Sequence, residues 1–142
     1  MANNFKFEDN SKKVKKLMAQ TNEAAMESIL LMVEGQAKSL ARTGSGELRD
    51  KIDHKITEQD GNLIGQVGSP HMHAIYNEFG TGEFAENGNG RKGGWVYRDP
   101  SGEYFFTYGL EPQPFLRPAF RRNKGNIKKI VGNEYGASFK GK

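Results

Sequence analysis

Three histidines are the first residues to weigh for chemistry. His71-x-His73 can present two imidazoles on one side of an extended segment, and His54 is available as a third ligand. No His-x-x-x-His spacing and no adjacent acidic cluster completes a set of ligands, so packing or surface roles are the simpler account. Glu47, Asp50 and Asp53 lie close together in the chain, and paired carboxylates do acid–base work when burial separates their pKa values. Arg49 and Lys51 intervene, which points to charge balancing instead. Gly88-Asn89-Gly90-Arg91-Lys92-Gly93-Gly94 has the composition of a phosphate loop but not the Gly-x-x-x-x-Gly-Lys-Ser/Thr spacing between a strand and a helix. It reads as a mobile arm. No Gly-x-Ser-x-Gly elbow occurs, and the chain has no cysteine, which excludes disulfides, thiolate metal sites and a thiol nucleophile. The expectation is a protein that is not an enzyme, with no catalytic residue, metal or cofactor.

Composition sets the scale of what can hold such residues. The chain has 142 residues, of which 35% are hydrophobic, and 18 glycines. That length favours one domain burying roughly 70% of the surface of its unfolded chain, and the mean hydropathy of -0.76 implies exposed loop, tail or interface. The net charge is +4, and positive residues cluster at two places, Lys12, Lys13, Lys15 and Lys16, and a run from Arg117 through Arg121, Arg122, Lys124, Lys128 and Lys129 to Lys140 and Lys142. Basic clusters attract phosphate backbones and acidic protein surfaces alike, and also serve simply as solvated faces. The opening residues lack the apolar stretch of a signal peptide, and the run Ile29-Leu30-Leu31-Met32-Val33 is far too short to span a bilayer, so a soluble, unanchored protein is expected.

The elements follow from periodicity. Val14, Leu17, Met18, Ala25, Ile29, Met32, Val33, Ala37 and Leu40 recur at helical spacing, and Asp9, Asn10 or Ser11 can cap the start. The spacing predicts a helix over about 11–42, ended at Gly44 and on the order of 45 Å long. Thr43-Gly44-Ser45-Gly46 reads as a linker. Ile52, His54 and Ile56 alternate as in a strand, Asp60-Gly61 is a hairpin turn, and Leu63, Gly65 and Val67 form the return. Ala74, Ile75, Tyr76 and Phe79 form a short packed segment. Residues 80–94 have no apolar period and are expected to be a long mobile loop. Trp95-Val96-Tyr97-Arg98 and Tyr104-Phe105-Phe106-Thr107 read as strands around the turn Asp99-Pro100-Ser101-Gly102, with Trp95, Tyr97, Tyr104 and Phe106 pairing across them and alternating as core residues do. Pro118 suits the first turn of a second helix that Gly132 would end. The fold class expected is α+β: a long N-terminal helix packed on a small antiparallel sheet, with a shorter C-terminal helix and a long mobile loop. Residues 1–10 are a flexible N-terminus, 11–132 a single domain and 133–142 a flexible basic tail.

The order of motifs carries a resemblance. Behind the long helix come Thr43-Gly44-x-x-Glu47-Leu48-Arg49-x-x-Ile52, a strand pair closing on Val67-Gly68-Ser69, Ala74-x-Tyr76-x-Glu78-Phe79-Gly80-Thr81, and Pro112-Gln113-Pro114-Phe115-Leu116-Arg117-Pro118-Ala119-Phe120. Over roughly 12–131 this resembles the head–tail joining, or tail-completion, family of long-tailed bacteriophages and prophages, the gene-ten-like minor tail components. The resemblance implies a structural virion protein that forms a ring, typically a hexamer, in the neck at the head-proximal end of the tail, as tail terminator or head–tail connector. It implies the tail tube protein, a head completion or stopper protein and further copies of itself as partners. DNA would pass through the lumen without base reading, and no membrane would be involved. The location implied is the virion, reached by assembly in the host cytoplasm. Glu78, Phe79, Gly80, Thr81, Gly82, Phe84, Arg91 and Lys92 are the expected interface loop. Trp95, Pro114, Phe115, Leu116, Arg117, Pro118 and Phe120 are the expected structural anchor. The alternative is a small non-enzymatic nucleic-acid-binding module, for which the core-like alternation of the aromatic residues is unfavourable.

Overall fold

A computed structural model describes residues 5–42 and 46–140. The long helix α1 spans Ser11–Leu40, and the main-chain N–H of Ser11 donates to the Asp9 carboxylate at 2.9 Å to fix its start. The expected stop at Gly44 and most of the expected linker lie outside the described residues. A single turn, α2 (Glu47–Asp50), follows where the sequence suggested only an approach to a strand; Leu48 on it is buried. β1 (Asp53–Gln59) and β2 (Asn62–Gly68) form an antiparallel hairpin in which Ile56 faces Gly65 and His54 faces Val67. At its turn Asp60 and Gly61 both take positive φ, as the Asp-Gly pair demands. α3 (His73–Phe79) ends in Gly80. A 3₁₀ turn covers Gly82–Phe84, and a second antiparallel hairpin joins β3 (Trp95–Arg98) to β4 (Tyr104–Thr107). The chain closes with α4 (Leu116–Arg122) and α5 (Lys124–Phe139).

One core ties these elements together. Val33, Ala37 and Ala41 of α1 and its end meet Leu48, Ile52, Ala74, Phe115 and Ala119, with Ile29, Met32, Leu40, Val67, Leu116 and Ile127 packed around them. Small alanines on α1 and α4 let these two helices approach, and Phe115 is packed beside them and Ala74 of α3 at 0% exposure. The class is α+β, as expected, but the strands form two separate hairpins rather than one sheet. Of the two, the β1–β2 hairpin packs on α1.

Three local expectations change. Full burial on α1 begins at Thr21, whereas Leu17 is half-buried and Val14 and Met18 stay 43% and 42% exposed. α5 passes through Gly132 and Gly136 to Phe139. A glycine ends a helix when it takes a left-handed φ, which Gly132 does not. The Tyr135 hydroxyl bonds Asn22 of α1 and its ring stacks on Phe139, so residues 133–139 are helix and not the expected tail. Finally, the β3–β4 aromatics are not core. Val96, Tyr97, Tyr104, Phe105 and Phe106 are all exposed, and the register sets Tyr97 opposite Phe105 and Phe106 opposite Val96 rather than pairing the four aromatics expected.

Candidate assembly interface

The two motif blocks are the two halves of one cluster. Phe115 precedes α4, whose first N–H groups have no partner within the helix. The Glu78 carboxylate, carried in from α3, supplies the missing acceptor. Its Oε2 accepts the N–H of Phe115 at 2.8 Å and of Leu116 at 3.0 Å, and its Oε1 accepts the N–H of Arg117 at 3.0 Å. The next residue is Pro118, which has no N–H to satisfy. The negative charge also sits favourably at the positive end of the helix. The same carboxylate accepts Arg117 Nε at 2.8 Å, while Arg117 Nη2 donates to the Glu78 carbonyl at 2.8 Å. Burial pushes the Glu78 carboxyl up. The N–H groups of Leu116 and Phe115 and the Arg117 guanidinium outweigh burial and hold it below the usual carboxylate range.

Arg117 extends the cluster outward. It grips Glu86 of the following loop with two parallel bonds, at 3.0 and 2.9 Å, and its guanidinium lies over the Phe79 ring with 4.6 Å to the centroid. Glu86 and Glu78, in that order, raise the Arg117 pKa and keep it charged. The loop is held at further points. The Thr81 N–H donates to the Leu110 carbonyl and the Glu83 N–H to that of Tyr108, both at 2.9 Å, and the Gly93 N–H bonds Glu83 at 3.0 Å. Gly80 takes φ 76° and ψ 171°, a conformation essentially reserved for glycine, and a Cβ there would stand 2.7 Å from the Phe84 carbonyl oxygen. The 80–94 excursion is therefore tied down through Thr81, Glu83 and Glu86 and again near its end at Gly93.

The residues expected to form the interface loop divide accordingly. Glu78 is buried, at 3% exposure, and all its bonds are internal. Gly82 is buried, and Gly80 and Thr81 are half-buried as hinges of the loop. Phe79, Phe84, Arg91 and Lys92 remain exposed, with Arg91 over the Trp95 ring. Among the expected anchors, Phe115 is fully buried, and Trp95, Pro114, Leu116, Arg117 and Pro118 are half-buried. Phe120 lies on the surface at 37% exposure, because the buried side of α4 belongs to Ala119.

Exposed apolar surface extends beyond the expected interface loop. Met72, Ile75, Tyr76 and Phe79 are spaced along one side of the α3 segment and are all exposed. Phe5, Phe7, Val14 and Met18 mark the free end of α1. The β3–β4 hairpin adds Val96, Tyr97, Tyr104, Phe105 and Phe106, followed by Tyr108. Periodicity shows which residues share a face but not whether the face is covered, so helical and alternating patterns look the same in a core and on a presented surface.

His71 and His73 lie together, their rings edge to face with centroids 4.9 Å apart and the His73 N–H donating to His71 Nδ1 at 3.2 Å, but His54 does not join them. His54 sits against α1, with Nε2 2.9 Å from Glu27 and Nδ1 bonded to Glu34, whereas His71 lies 3.4 Å from Glu47 of α2. With a carboxylate on each ring nitrogen, His54 is best satisfied as the imidazolium, a donor at both. Its pKa is raised, foremost by the bond to Glu34. Glu34, Asp53 and His54 bring potential ligand atoms within 4.8 Å, a grouping made by folding that sequence spacing does not show. Lys38 already holds Glu34 Oε1 at 2.5 Å, so the group reads as a charge-balanced clamp between α1 and β1. No helix among the described residues is long and apolar enough to cross a membrane.

Comparison with known proteins gives one family. The family described as Bacteriophage HK97-gp10, putative tail-component, matches residues 5–80, just over half of the chain, from the start of the described residues to the glycine that closes α3. No curated protein and no solved structure matches. With more than half of its length matched, the chain belongs to the HK97-gp10-like family and is a bacteriophage tail component.

Proposed function

We propose that this tail component is a structural, non-enzymatic protein that works as a ring of identical copies, a hexamer, at the head-proximal end of the tail. There it terminates the tail or joins it to the head in the neck. The tail tube protein would lie on one side, a head completion or stopper protein on the other, and DNA in the lumen. The observation that carries the reading is the separation of a small rigid core from several uncovered apolar faces. Large exposed apolar patches on a soluble protein mark interaction sites, and among the described residues α3, the first turns of α1 and the β3–β4 hairpin each present several exposed large apolar side chains. A ring requires two different patches on each subunit, one for each neighbour, and the molecule offers more than two. Assembly in the host cytoplasm and a place in the virion neck follow from this reading.

Electron microscopy of particles from a phage lacking this gene tests it. The expected result is headless tails of irregular length or tails with an unfinished upper end; normal tails attached to filled heads would end the proposal.

One feature of the β3–β4 hairpin favours a nucleic-acid-binding module instead. Aromatics beside cations, with Arg98 over the exposed Tyr104 and Arg91 over the half-buried Trp95, are what a single-strand binder presents. A nucleic-acid-binding module predicts affinity for oligonucleotides that falls steeply with salt and is lost in Tyr104→Ala. Undetectable binding at low salt removes it.

A further inference from the structure

The cluster around His54 has the donors of a metal site. Glu27 and Glu34 lie on α1, and Asp53 and His54 open β1 against it. His54 Nδ1 is bonded to Glu34 Oε2 and stands 4.0 Å from Asp53 Oδ1, and the three ligand atoms all fall within 4.8 Å of one another. One imidazole nitrogen and two carboxylate oxygens form a mixed donor set of the kind Zn²⁺ takes. Bonds of about 2.1 Å to one ion hold such atoms roughly 3–4 Å apart. The Asp53 oxygen is already at that distance, and the Glu34 carboxylate has only to draw back from hydrogen-bond contact.

The surroundings fit a ligand histidine. A metal-bound imidazole has its ring fixed by giving its second N–H to a carboxylate, and His54 Nε2 is 2.9 Å from Glu27 Oε1. Lys38 holds Oε1 of Glu34 at 2.5 Å, which leaves Oε2 turned to His54. Asp53 Oδ1 accepts the His54 main-chain N–H at 2.7 Å, which keeps the carboxylate beside the ring with lone pairs to spare. Asp53 and His54 also line an open pocket of about 460 Å³ that extends to Ser69 and Pro70, from which water can complete the coordination. Charge favours the exchange. The carboxylates of Glu27, Glu34 and Asp53 face two cations, Lys38 and the His54 imidazolium. A divalent ion in place of the Nδ1 proton brings the group to neutrality.

We propose that His54 Nδ1, Glu34 and Asp53 bind Zn²⁺, with Glu27 and Lys38 orienting two of the ligands and water filling the open position. Without the ion the same groups form the clamp between α1 and β1, and with it the long helix is cross-linked to the first hairpin. The site does not depend on the ring reading.

Zn²⁺ titrated into the full chain after stripping with EDTA tests the site, read by calorimetry at neutral pH and by melting temperature. The wild type is expected to bind one saturable equivalent and to melt several degrees higher in excess Zn²⁺. Asp53→Asn changes a side chain that is 83% exposed, so it keeps the wild-type fold and is expected to weaken binding at least ten-fold. Glu27→Ala removes no ligand atom and is expected to weaken binding about ten-fold by freeing the ring. His54→Gln should abolish the equivalent. His71 and His73 are the other surface imidazoles, so His71→Ala with His73→Ala is the control and should bind as the wild type does.

No saturable binding at millimolar Zn²⁺ overturns the proposal. So does wild-type affinity in Asp53→Asn or His54→Gln, or binding that disappears in the His71 and His73 double variant.

Discussion

Glu78 shows how one side chain can determine a local fold. Its carboxylate replaces the helical turn that α4 lacks, neutralises Arg117 and, through Arg117 and Glu86, fastens the loop that follows α3. Removing it leaves main-chain N–H groups and a guanidinium without their acceptor. Glu78→Ala is expected to destabilise the protein by about 3 kcal/mol, read from chemical denaturation. The sign of its pH dependence follows from its pKa, which is lower in the folded than in the unfolded chain. The stabilisation is present above the unfolded value and is lost as pH falls through the folded one, so the variant should lose less stability in acid than the wild type. His54 acts at the other end of the scale. Its folded pKa lies above 6.5, so the Glu34 and Glu27 contacts stabilise fully below that pH and fade as pH rises through the raised value. Melting temperature should therefore decline on the alkaline side of 6.5 in the wild type and be flatter in His54→Gln; parallel pH profiles would contradict the clamp.

At the scale of elements, burial rather than pattern separates what is structural from what is presented. α1 follows its apolar spacing as far as Thr21 and then projects its first turns beyond the other described elements. α5 holds together despite its glycines because Tyr135 is tethered to α1 at Asn22. Each interior glycine costs roughly 1 kcal/mol relative to alanine, which made Gly132 look like an end. Truncation after Gly132 should consequently lower the melting temperature by several degrees, and Tyr135→Ala should reproduce part of the loss. An unchanged melting curve in both would show that 133–140 contributes nothing to the folded state. The 80–94 excursion is divided in the same way, bonded through Thr81, Glu83 and Glu86 and exposed at Asn87, Gly88 and Asn89.

At the scale of the molecule, a small core carries more apolar surface than it can cover. Tyr104→Ser combined with Phe106→Ser removes two exposed rings that take no part in the core. The double variant is expected to fold with stability within about 0.5 kcal/mol of wild type and to remain monomeric in sedimentation at concentrations where the wild type associates. Association of both to the same extent would move the interface to α3 or the free end of α1. The order and type of nearly every element was legible in the chain, because helical and alternating periods, Asp-Gly, Asp-Pro-Ser-Gly and Pro118 are local signals whose physics operates within a few residues. The motif blocks also carried the family. Only tertiary structure decided that Glu78 and Arg117 bind each other across the chain, that His54 meets Glu34, that the strands form two hairpins, and that the aromatic strands face outward. These depend on which segments come to lie side by side, and periodicity marks an apolar face in the same way whether a neighbour covers it or another molecule must.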